Sequence, residues 1–446
     1  GSTININRGD TFDEAVIIDN RTLTDYGSGA LPIVTNATDS AATITALNGA
    51  TLENCDIRNT STGNPVATVS IAAATVTGCK IWANTNKALT VNGTGSTVEG
   101  CHFTDSGQAS ATQTLTLFQA NDNLIRGNYF ECHRSYAAVF AHDSVAQDNT
   151  GGNIIEWNLI ERLTSENSGF SDAAISQGAN IGSTSAPNIA RCNYIRGSWE
   201  FGVAVSEDWD FVANYVDGSQ FFNSPCHFRD PGVYRVVGNT FAFRAGEGGA
   251  TPPFGIFEVF GTDGQSVVRN NAVWYESITR AYAFDSTGDV LQQDWDWNQY
   301  QGSTWGTGDR FYIPGSSLSP AEWQAIPHDV NGLIDTDLGL RNPERGDIDT
   351  GDMAPGVGSS LTAGGSSVAG LDYRISSNAR WYDGTNTGVY SLEQPAGAPH
   401  VGAFAPQSGG IMPDPDDVRL GVPVDDTVGT LRVPLASDVR DSVPYE

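Results

Sequence analysis

A short pattern recurs along the chain: Cys or Asn stands two places before an apolar β-forming residue. It occurs at Cys55, Cys79, Cys101, Asn128, Asn158, Asn193, Asn214, Asn239 and Asn271, and more loosely in Trp297-Asn298-Gln299-Tyr300. The spacing runs from about 21 to 35 residues, the range of a solenoid with one coil per repeat. In a parallel β-solenoid each coil lies about 4.8 Å above the last, so equivalent residues stack. An Asn at an inward corner then bonds the Asn above and below, which satisfies an amide that burial would strand. Cys fills the same corner as a small apolar residue. The column therefore reads as scaffold. Zinc is disfavoured because close CxxC pairs are absent. Disulfides between successive coils stay open, with mostly free, buried thiols expected.

The remaining composition agrees. Gly, with 50 of 446 residues, and abundant Ser, Thr and Asn suit short strands joined by turns. The formal net charge is -29 and Lys80 and Lys87 are the two lysines. Such a surface repels nucleic acid and anionic membranes, so neither is expected as a partner. No apolar run is long enough to span a bilayer, and no membrane insertion is expected. The acidity invites calcium, but no EF-hand loop or Asp-rich nonapeptide accompanies it; no cofactor is expected to be required. Gly1-Ser2 reads as a cloning scar, and no signal peptide is visible.

Four regions follow along the chain: a capping segment at 1–40, coils at 41–305, a closing segment at 306–408, and a linker and tail at 409–446. Early coils are short and bland. From about residue 113 they lengthen and gain aromatics, His, Arg and carboxylates. Ser317 to Gln324 reads as a short helix with a Ser-Pro start.

Two terminal patterns carry a family likeness. Arg8-Gly9-Asp10-Thr11-Phe12 followed by Tyr26-Gly27-Ser28-Gly29-Ala30-Leu31-Pro32 resembles the first coils of the pectate-lyase-like proteins. Glu322-Trp323-Gln324, then Asp329-Val330-Asn331, Leu371-Asp372-Tyr373-Arg374-Ile375 and Gly402-Ala403-Phe404, resembles their closing segment. The Ser-Pro-Ala-Ile-Asp stretch of that ending is absent here, with Ser376-Ser377-Asn378-Ala379-Arg380-Trp381 in its place. The resemblance implies an all-β, single-stranded right-handed parallel β-helix with a Cys/Asn ladder. It also implies a carbohydrate-active protein, a polysaccharide hydrolase or lyase, extracellular or on a virion surface. Phage tailspikes resemble this architecture and are trimers, so a virion-borne chain is expected as a homotrimer and a secreted one as a monomer. The alternative is a non-catalytic glycan-binding or structural fibre. Thr427 to Asp441, of the pattern GTLxVPxxxDVR, resembles the ends of some phage and large bacterial surface proteins.

Strand alternation nominates a site. Aligning the opening strand of each later coil puts Ala137, Ala173, Gly202, Cys226, Gly255 and Ala281 in one inner column. Val139, Ile175, Ala204, Phe228, Phe257 and Ala283 fall in the next. The residues between them form an outward strip. Candidate substrate contacts are Phe140, His142, Trp209, Tyr282 and Phe284. Candidate carboxylates for hydrolysis are Glu207, Asp208, Asp230, Glu258 and Asp285; adjacent coils would set carboxyl groups about 5 Å apart, near the retaining separation, and two coils about 9.5 Å, near the inverting range. A lyase would use His227 and Arg229 with Tyr282. The lysines fall outside these coils, which disfavours a lysine-based uronate lyase. Structural roles compete: Glu258 beside Arg229 fits a cross-strand ion pair, and Asp230 before Pro231-Gly232 fits a turn.

Overall fold

The computed structural model describes residues 2–405 apart from 39, 62–66, 84–86, 106–112, 143–149, 165–171, 179–185, 206–207, 219, 222–223, 229–232, 245–255, 260–265, 279–281, 285–293, 306–310, 314–315, 327, 335–336, 341–352, 357–358, 363, 377–378 and 394–399. Three strands per coil stack into three long sheets of 12, 13 and 13 strands. The first coil supplies Thr3–Asn7 to the first sheet, Thr11–Asp13 to the second and Val16–Asp19 to the third. Stacking between coils is parallel, and its register slips by one residue at Asn92-Gly93, where Asn92 pairs with Phe118 and Gly93 with Ala120. Coils begin at Thr3 instead of residue 41, and the second sheet continues to Leu333–Ile334. Residues 3–36 are thus ordinary rungs: Thr, Ile and Val alternate there as in the later strands.

The interior is a set of stacked columns. In the second sheet Ile57, Ile81, Phe103, Phe130, Ile160, Ile195, Val216, Phe241, Val273 and Tyr300 align and are fully buried. Phe103 and Phe130 stack with ring centroids 4.8 Å apart, which is the rung spacing itself.

The corner before the second sheet holds the ladder. The amide of Cys101 donates to Asn128 Oδ1 at 2.9 Å. Both the backbone amide and Nδ2 of Asn128 donate to Asn158 Oδ1, each at 3.0 Å. The same pair of bonds repeats from Asn158 through Asn193, Asn214, Asn239 and Asn271 to Asn298. The column ends on Asp329, which accepts from Asn298, Trp323 Nε1 and the Tyr300 hydroxyl. An acceptor-only side chain suits the last place, where no further Asn follows. Burial pushes the Asp329 carboxyl up to about 6, against the pull of Asn298, Trp323 and Tyr300. All six cysteines are free and buried.

Each Cys or Asn of the ladder follows a residue of positive φ: Asn54, Gly78, Gly100, Gly127, Trp157, Cys192, Ala213, Gly238, Asn270 and Trp297. The corner demands the left-handed region, and the stacked bonds hold even Trp and Ala there despite the Cβ cost. A second, shorter ladder runs through Ser96, Asn123, Asn153 and Asn188 before the first sheet.

The closing segment does two things. Helix Pro320–Ala325, capped by Ser319 in a capping box with Glu322, brings Trp323 face to face with Phe311 at 4.8 Å and shuts the end of the interior. Ser316–Leu318, which takes in the first two residues of the stretch expected as helix, forms an antiparallel strand on Phe311–Ile313. Residues 353–405 then return along the outer face of the second sheet. Leu361, Leu371, Ile375, Trp381, Val401 and Phe404 build a second core there against Trp157, Tyr194, Tyr215 and Trp274. Trp381 Nε1 donates to the Cys192 carbonyl at 2.8 Å, and the Tyr390 hydroxyl to the Gly127 carbonyl at 3.1 Å.

Candidate functional site

The third sheet carries the strip expected from the sequence, with a different register. Thr116, Phe140, Ser176, Ala204 and His227 share one outward column, and Glu258 stands in register with His227. Ala204 is therefore outward, and Val203 takes the inner place beside Ile175. Tyr282 pairs with Phe257 and Phe311, and Phe284 with Val259; Ala283 stands opposite Glu258, so the register is one place off the expected alignment. The physical reason is at the corners, where two successive residues turn inward, as at Ala138-Val139 and Ile256-Phe257. Each such corner resets the alternation by one place.

The strip is also mostly covered. Phe140 is 9% exposed, Ser176 4% and Ala204 0%. Phe140 and His142 lie with ring centroids 5.5 Å apart, and His227 packs 4.3 Å from Phe201. Trp209 belongs to the main core, its indole N–H donating to Gln177, and is no stacking platform. Asp208 accepts the backbone amide of Val233 at 3.1 Å, a corner role. Glu207, Arg229, Asp230 and Asp285 lie outside the described residues. Glu258, Tyr282 and Phe284 are placed by strand register alone.

A different set of ionisable groups converges on the outer face of the second sheet, beside the tip of the returning segment. Strand Tyr129–Cys132 presents Tyr129 and Glu131 outward, Leu159–Arg162 presents Glu161, and Tyr194–Gly197 presents Arg196. Glu131 and Glu161 occupy the same register position on adjacent rungs, and Arg196 follows on the next. Like charges stacked directly opposite are unfavourable unless each has its own partners. Here they do. Glu131 bridges His102 Nε2 at 2.7 Å and His133 Nε2 at 3.2 Å. Glu161 takes the Arg196 guanidinium at 2.7 Å and the Tyr129 hydroxyl at 2.9 Å. The side chains of Glu131 and Glu161 remain 26% and 16% exposed, so both are in contact with solvent.

The surroundings tune these groups. Burial lowers the His102 pKa, against the pull of Glu131, and so favours the neutral ring. Burial, then Glu161, raises the Tyr129 pKa. Burial opposes the Arg196 charge, but Tyr194 and Glu161 overcome it and hold its pKa above the ordinary value. His102 stacks on Tyr129 at 4.8 Å. Gly384, at φ +87°, lies against that pair: a Cβ there would sit 3.2 Å from Tyr129 Cδ1 and 3.4 Å from His102 Nδ1. Asp383 fixes the bend by accepting the amides of Thr385 and Asn386. Further along the sheet, Lys80, Trp82, Asp56 and Arg58 continue the same two columns. None of the Glu131 cluster stands out locally. The readable signal was the pairing of Glu131 with Glu161, each three residues after a ladder Asn.

Among the described residues no group of three or more His, Cys, Asp or Glu side chains is arranged to hold a metal ion. Among them, too, no helix is long and apolar enough to cross a membrane.

Residues 2–158 match the family model described as right handed beta helix region. A search of curated proteins finds no match. Three solved structures of tailspike protein variants from E. coli bacteriophage HK620 are similar at 12% sequence identity. The first, with a pentasaccharide, has a TM-score of 0.36 over 75% of this chain and 65% of that one. The second, with a hexasaccharide, gives 0.34 over 70% and 71%. The third, again with a pentasaccharide, gives 0.35 over 75% and 72%. The chain thus spans 65% of the length of the first tailspike structure.

Proposed function

We propose that this right-handed parallel β-helix binds polysaccharide on the outer face of its second sheet and hydrolyses it there. One observation carries the reading: Glu131 and Glu161 stand in register on adjacent rungs, with separate sets of partners. Neighbouring rungs set the two backbones about 5 Å apart, a spacing from which two carboxyl groups can reach the separation that retaining glycosidases use. Arg196 and Tyr129 stabilise the Glu161 carboxylate, which suits the nucleophile. Glu131, between two histidines, suits the acid and then base: it gives a proton to the leaving oxygen and takes one from water in the second step. Lyase chemistry through His227 and Arg229 stands behind this reading, since His227 packs against Phe201 on the covered strip. The localisation that goes with it is extracellular or virion-surface. Light scattering tests the corresponding assembly, homotrimer for a virion-borne chain and monomer for a secreted one.

A second reading, a glycan-binding fibre without catalysis, is favoured by the satisfied state of both carboxylates. Incubation with neutral and acidic polysaccharides separates them. New reducing ends that vanish in Glu131→Gln and Glu161→Gln support hydrolysis. Products with unsaturated-uronate absorbance support a lyase. Binding with no product supports the fibre.

A further inference from the structure

We infer that Lys80 and Trp82 form a subsite for an anionic sugar unit, two rungs from Glu131. The inference rests on the glycan reading and names the substrate class of the same face. Trp82, Thr104 and Glu131 share one outward column, so Trp82 lies about 10 Å from Glu131 along the solenoid axis. A glycan laid along that axis over the Glu131–Glu161 pair passes this point. The Trp82 ring holds two cations: Lys80 Nζ is 4.4 Å from its centroid and the Arg58 guanidinium carbon 5.1 Å. Asp56 takes the Arg58 charge with bonds of 2.9 and 2.6 Å. Lys80 has no carboxylate partner among the described residues. In a chain of net charge -29 with two lysines, an ammonium held on an aromatic face and bonded to no carboxylate among the described residues is a point where an anion from outside can bind. The cation–π contact restrains an otherwise flexible side chain, which lowers the ordering cost of binding. A carboxylate or a sulfate on the sugar supplies the missing charge-assisted bond.

The test is affinity of the full chain for polygalacturonate, dextran sulfate and dextran at about 0.15 M salt, where charges beyond roughly 8 Å are screened. The wild type is expected to bind one or both anionic polymers at least about tenfold more tightly than dextran. Lys80→Met keeps the stem over Trp82 and is expected to remove that preference, while Lys80→Arg restores it. An unchanged melting temperature in Lys80→Met keeps the loss assigned to charge. Carboxylated against sulfated polymer tells which acid is read. Equal binding of dextran, or a Lys80→Met chain that keeps the preference, overturns the inference and leaves the glycan reading standing. Binding of no polymer overturns the glycan reading, and the inference with it.

Discussion

One outward column of the second sheet has two halves. Over the early and middle rungs it reads Arg58, Trp82, Thr104, Glu131, Glu161 and Arg196, mostly charged and open. Beyond Asp217 it reads Ala242 and Trp274, buried in the second core under the returning segment. The backbone is the same in both halves; the side chains decide whether the face meets solvent or more chain. A solenoid repeats its frame at every rung and can change its surface between one rung and the next. The closing segment thus sets the edge of the open face, with Gly384 at its tip on His102 and Tyr129.

The open half breaks most sharply. Glu131→Gln and Glu161→Gln are each expected to lower turnover by about 10²–10⁴-fold with binding retained, measured by reducing ends and by affinity. The covered half answers to Trp381→Ala. It removes a ring packed against Trp157 and Tyr194 and the bond to the Cys192 carbonyl, at a cost of about 3–5 kcal/mol in denaturant unfolding.

The interior beneath both halves is tested by pH. Asp329 has a folded pKa of about 6, above its unfolded value. The folded state therefore holds the proton more tightly. The stabilisation is greatest below the unfolded value near 3.8 and is lost as pH rises to about 6, a change of about 3 kcal/mol. Asp329→Asn is expected to abolish that slope, while leaving the Trp323 and Tyr300 donors facing an amide. Unfolding of both chains across that pH window checks it.

The smallest effect compares the same corner under the two halves. Gly100→Ala meets no atom nearer than 4.0 Å and carries only the left-handed penalty, about 1 kcal/mol. Gly238→Ala adds a contact at 2.9 Å to the buried Arg374 guanidinium and is expected to cost roughly twice as much in stability. Equal costs would mean that the closing segment yields freely.

Much of the fold was legible because the ladder is local and periodic: each Asn or Cys announces a corner two residues before an inner apolar side chain. The site was less legible. Glu131 and Glu161 are 30 residues apart, and each alone reads as an ordinary polar strand residue. Alignment of the strands around Phe140 and His227 was shifted by one residue in facing at Ala204 and in register at Tyr282 and Phe284. Alternation works only within a strand, and the corners at Ala138-Val139 and Ile256-Phe257 interrupt it.

By itself the sequence determined the stacked coils, the Cys/Asn column, the closing helix around Trp323 and the absence of a lysine from the later coils. Each follows from short-range pattern or composition. Only the tertiary structure decided which residues face out after a corner, that Glu131 and Glu161 share a register, and that the segment around Trp381, Tyr390 and Ala403 returns along the second sheet. The bonds that secure the return join residues 163 to 263 positions apart. Contacts of that range leave no period in the sequence; they are chosen by which apolar face remains uncovered once the coils have stacked.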